Sequence, residues 1–122
     1  NFGGLESPSG TTTYGILAGT GVTAPTNTDY KMGTLIAHGS AATQLQYGQT
    51  AVGAVGVVGA NVDMVIARVL VNGSGGAITL KEIGLAISSN LPYYFLWAHD
   101  AVNQAVANTE VALASYVIRT TV

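Results

Sequence analysis

The sequence contains no cysteine, so neither a disulfide framework nor a thiolate metal site holds the fold together. Charge is nearly as scarce. Lys31, Arg68, Lys81 and Arg119 face six Asp and Glu, and charged residues make up 8% of the 122 residues, against about 25% in typical soluble domains. Four cations cannot form the basic stripe that neutralises a phosphate backbone, which excludes nucleic acid as a partner. No apolar run reaches the ~20 residues of a membrane-spanning helix. The nearest, residues 51–62, is interrupted by three glycines.

Titratable chemistry is equally thin. The histidines are His38 and His99, and the acids are Glu6, Asp29, Asp63, Glu82, Asp100 and Glu110. A His99–Asp100–Ser triad exists only on paper, because neighbours on a strand point to opposite faces. No Gly-x-Ser-x-Gly elbow is present. Asp29, Asp63 and Asp100 fall where strands would end, yet no Asp-x-Asp loop offers calcium its six to eight oxygens. They read as turn formers or ion-pair partners. The expectation is a protein without catalytic residues, metal or cofactor.

What remains is apolar and uncharged polar. Hydrophobic residues reach 48%, with 16 Gly and a mean hydropathy of +0.41. That composition suits a subunit that loses much of its surface to neighbours, since interface cores are depleted in charge. The chain begins at Asn1 rather than Met, which leads us to expect an upstream segment removed or left out, with processing or export before assembly as one route.

Dense β-branched residues between Gly, Asn, Ser and Pro clusters predict an all-β fold: an antiparallel β-sandwich, immunoglobulin-like or jelly-roll-like, over residues 14–122. Residues 1–13, glycine-rich and containing Pro8, read as an extended N-terminal arm or loop. A strand is expected at 14–19, then a short extended stretch broken by Gly33 over 30–38, and an alternating run at 44–47. The glycines at 53, 56 and 59 suggest bulges or close backbone contacts in a buried or interface strand. Residues 62–71 and 77–88, separated by Asn72-Gly-Ser-Gly-Gly76, predict a hairpin. In the second run Ile78 and Leu80 share one parity while Ile83, Leu85 and Ile87 share the other. A bulge near Lys81, Glu82 or Gly84 reconciles them. Asn90-Leu-Pro92 turns the chain into 93–101, which holds the aromatic cluster Tyr93, Tyr94, Phe95 and Trp97. Residues 100–109 read as short strand and loop in preference to a helical turn. The last strand, 110–122, is apolar on both faces, as expected of a central strand or of one covered by a neighbouring subunit. The expected assembly interface is therefore Phe2, Leu5, Tyr93, Tyr94, Trp97, Val111, Leu113 and Tyr116.

The order of motifs carries a resemblance. Gly19-Thr-Gly21 with Ala24-Pro25 and Asp29-Tyr30 is followed by Asn72-Gly-Ser-Gly, then Glu82-Ile-Gly84-Leu85, and finally Tyr116-Val-Ile118. This series, spanning roughly residues 14–122, resembles a family of small structural proteins of tailed phages and prophages. The resemblance implies a β-sandwich building block of a virion, partnered by copies of itself and other virion proteins. This chain departs from the family pattern at His99, where Arg is usual, and at Ala107-Asn108, where a Gly is usual. Family members also tend to carry an N-terminal extension, which is the segment expected ahead of Asn1. The functional expectation is a non-enzymatic, self-assembling subunit located in a virion or otherwise extracellular. Two other readings stay open. One is a pilus-like filament subunit that donates residues 1–13 or a terminal strand to the next copy. The other is a glycan-binding module of a fibre or adhesin that uses the aromatic cluster.

Overall fold

A computed structural model of the protein describes residues 6–22, 32–53, 55–90 and 93–121, the side chains of residues 88–90, 93–95 and 97 excepted. The described residues form seven strands and no helix: β1 (Gly15–Gly19), β2 (Gln46–Val52), β3 (Gly56–Val58), β4 (Asn61–Val71), β5 (Ile78–Asn90), β6 (Tyr93–Val106) and β7 (Val111–Thr121). They make two antiparallel sheets packed face to face, the sandwich that the strand-and-turn pattern predicts. The first sheet runs β1-β5-β6. In the second, β2 and β3 lie in succession along one side of β4, and β7 lies along the other.

The predicted hairpin across residues 72–76 does not form. β4 and β5 belong to different sheets, so the segment between them is an arch from one layer to the other. Asn72 explains why. Its side chain is fully buried, and its Nδ2 donates to Gly76 O at 2.9 Å and Val106 O at 2.8 Å. Its Oδ1 accepts from Ser74 N at 3.0 Å, an Asx turn. Its backbone N–H bonds Glu110 O at 2.9 Å. A residue anchored to the β6–β7 connection cannot also form a tight two-strand turn.

The predicted bulge does form. β5 and β6 pair Leu80 with Gln104 but Glu82 with Ala101, a register shift at Lys81. As a result Ile78, Leu80 and Leu85 all reach the same core between the sheets, with Ile83 packed against it. The even residues beyond the shift face the other way, where Ala86 packs with Leu17 and Met32 in a small second cluster. β6 continues to Val106, further than the short strand and loop expected for residues 100–109. The glycine-punctuated run splits into the end of β2 and the exposed β3 instead of forming one buried strand.

Residues 6–13 have no regular structure and lie against the domain, closing the sandwich beside β1 and β2. Ser7 is buried, its O accepts from Thr50 N at 2.9 Å, and its hydroxyl lies 2.7 Å from that of Thr50. Arg68, on the inward side of β4 and 1% exposed, holds this segment down. Its guanidinium donates to Gly48 O, Ile16 O and Thr11 O at 2.6, 2.8 and 2.7 Å, and to Pro8 O at 3.2 Å. It also lies 4.8 Å from the centroid of the Tyr47 ring. Burial pulls its pKa down to about 10, opposed by Tyr47 and Tyr14.

Candidate assembly surface

The two faces of the β4–β7 pair differ in what they touch. Register runs unbroken from Asn61↔Thr121 to Val71↔Val111. Because side chains alternate, Ile66, Arg68 and Leu70 of β4 and Ala114 of β7 face the core. The odd residues face outward. Val65 stands opposite Val117 and Val69 opposite Leu113. The β4 valines are 41–42% exposed, while Val117, Val111 and Leu113 of β7 are 56%, 60% and 69% exposed.

This outward face is apolar along β4 and β7, with polar groups on two parts of its border and exposed Val58 on another. At one end Arg119 and Asp63 form a two-bond ion pair, 2.7 Å in each arm. The guanidinium beside Asp63 holds that carboxyl below its usual range. On the far side, exposed Gln46 and Gln49 of β2 form a rim. An apolar centre with polar groups on parts of its border fits the anatomy of a protein–protein contact.

The interface residues expected from sequence divide between places. Val111 and Leu113 lie on the outward face. Tyr116 faces the opposite way: its hydroxyl donates to Asp100 Oδ2 at 2.8 Å and lies 3.2 Å from Ile83 O, tying β7 to the other sheet. Burial, and then that contact with Asp100, pushes its pKa upward. Phe2 and Leu5 lie outside the described residues. Tyr93, Tyr94 and Trp97 lie in β6, with side chains outside the described set. Val65, Val69 and Val117 of that face are not among the residues expected from sequence. The alternation of residues 62–71 held the signal, but both parities there are mostly apolar and each carries one charge, Asp63 on one and Arg68 on the other, so neither was marked as the solvent face.

The motif residues gather around a different point. Glu82, 2% exposed, accepts backbone N–H bonds from Gly21, Thr34 and Gly33 at 2.7, 2.7 and 2.8 Å. His99 Nε2 lies 2.7 Å from Glu82 Oε1. Burial pushes the Glu82 carboxyl up, but the bonds from Thr34, Gly33, His99 and Gly21 together outweigh it and hold the group below its usual range. A carboxylate offers acceptors only, so the shared proton sits on Nε2. Gly19 is needed close by: a Cβ there would come within 2.5 Å of Thr34 O and 2.6 Å of a Glu82 oxygen. The Gly19-Thr-Gly21 and Glu82-Ile-Gly84 motifs are thus two halves of one clamp, which holds residues 32–34 over the outer face of the first sheet.

Among the described residues, no three His, Asp or Glu converge as metal ligands, and no helix is long and apolar enough to cross a membrane. No family model, curated protein or solved structure matches the chain.

Proposed function

We propose that this protein is a non-enzymatic structural subunit that assembles with copies of itself and with other proteins of an extracellular particle, a phage virion being the setting its motifs favour. The observation that carries this reading is the exposed apolar strip of Val65, Val69, Val111, Leu113 and Val117. A free monomer gains nothing by hydrating five neighbouring branched side chains, and large patches of this kind mark interaction sites. The scarcity of charge supports the same reading, since it removes the self-repulsion that keeps proteins apart.

The filament reading by donation of residues 1–13 is weakened, because Ser7, Pro8, Gly10 and Thr11 bond their own domain. Light scattering across a concentration series, with negative-stain images of the same sample, tests the proposal. Rings, tubes or a discrete multimer are expected. A mass of 12.4 kDa at every concentration would remove it.

A further inference from the structure

We propose that β7 is a homotypic docking edge, pairing antiparallel with β7 of a second copy about a two-fold axis at Ser115 and joining the two β2/β3–β4–β7 sheets into one. This rests on the assembly reading above and adds where two copies meet.

Among the described residues, the edge itself is unprotected. Soluble proteins blunt edge strands with bulges, proline, lysine or very short length. β7 has 11 residues in unbroken register with β4, and no proline or lysine. Its one charge, Arg119, is already engaged by Asp63. Among the described residues no strand pairs with its outer side. The other long edge, β6, carries three register irregularities against β5 and the polar residues His99, Asp100, Asn103 and Gln104. β3, also exposed, is only three residues long.

The exposure gradient follows each strand's position in the sheet. Val65 and Val69 have a strand on each side, and β7 has a strand on one side only. The outward side chains of β7 are correspondingly more exposed than their β4 neighbours. One further strand beside β7 would give Leu113 and Val117 the flanking that Val65 and Val69 already have.

The strand that fits is a second β7. A partner must bring an unpaired edge, apolar outward side chains and no like charge, and this chain presents such an edge itself. Pairing about Ser115 sets Leu113 of each copy opposite Val117 of the other. On the inward side it sets the small Ala112 and Ala114 opposite Ile118 and Tyr116 of the partner strand. The small half borders a cleft of about 380 Å³ between β6 and β7 that reaches Leu70 and Leu80. The two Arg119 side chains stay about 26 Å apart along the strands. Such a contact is isologous and closes on itself.

The absence of native cysteine makes the test direct. Across a two-fold antiparallel pair, opposed Cα atoms lie about 4.5–5.5 Å apart, within disulfide range. Ser115→Cys is expected to form a covalent dimer under mild oxidation, at least roughly tenfold faster than a Ser40→Cys control in an exposed loop. The double variant Leu113→Lys/Val117→Lys, at exposed positions, is expected to keep its circular dichroism and to lose the dimer in sedimentation. Ser115→Cys that links no faster than the control, or a folded double variant with the wild-type mass, overturns the proposal. If the wild type itself is monomeric at all concentrations, the assembly reading fails. If it is multimeric while both variants behave as the controls do, only the β7 edge is wrong.

Discussion

His99 Nε2 and Glu82 Oε1 lie 2.7 Å apart with both side chains almost out of solvent, on neighbouring strands of the first sheet. The pair is the fixed end of a clamp whose other end is three backbone N–H groups, from Gly21, Gly33 and Thr34. A buried carboxylate is tolerated here because every acceptor site has a donor.

Glu82→Gln tests the clamp. The amide replaces one acceptor oxygen with an NH₂ that must face backbone donors. A loss of about 2–4 kcal/mol is expected from charge-assisted bonds broken in a buried place. Urea unfolding measures it, and a loss below about 0.5 kcal/mol would mean that the loop is held by something else.

The same group sets an acid limb. Its folded pKa is depressed below that of a free carboxyl, about 4.3 in the unfolded chain. Its contribution is therefore fully present above the unfolded value and is lost as pH falls through the folded one. Asp63, held down by Arg119, acts with the same sign, though solvent screening at the surface makes it the smaller term. Thermal midpoints between pH 7 and 2 should fall less steeply for Glu82→Gln than for the wild type, with Asp63→Asn nearer to the wild type.

Arg68 is a buried cation that donates hydrogen bonds to four backbone carbonyls. Arg68→Met regains the cost of desolvating a charge but leaves four carbonyls without their donor. Each is worth roughly 1–3 kcal/mol, so a net loss of about 3 kcal/mol is expected. Arg68→Lys should recover little, since three donors on a point charge cannot span that fork. Limited proteolysis should then cut within residues 6–13 faster than in the wild type.

Asn72→Ala removes two donated and two accepted bonds from the arch between the sheets. About 2–3 kcal/mol is expected, read as a lower urea midpoint with an unchanged slope.

Thr109 offers a gain. It turns between β6 and β7 at φ 72°, in the left-handed region that disfavours a β-branched residue. Thr109→Asn keeps the backbone N–H that bonds Asn72 O and suits that conformation. Stabilisation of about 1 kcal/mol is expected in the same urea assay.

The sequence by itself determined the all-β class, most strand positions and the bulge near Lys81, because these follow from alternation and turn chemistry within a few residues. It also flagged Val111 and Leu113, since a strand apolar on both faces needs two covers. Pairing partners were not legible. Asn72-Gly-Ser-Gly-Gly76 has the composition of a hairpin turn, and only the burial of Asn72 against Val106 makes it an arch. Glu82 meets Gly21 from 61 residues away and Thr34 from 48, and Arg68 reaches Thr11 from 57. A periodic pattern tells each strand which side chains to bury but not which edge to bond. That choice was made by tertiary packing, which placed Tyr116 inward against Asp100, left Val65 and Val69 on the outer face, and set β7 at the edge of its sheet.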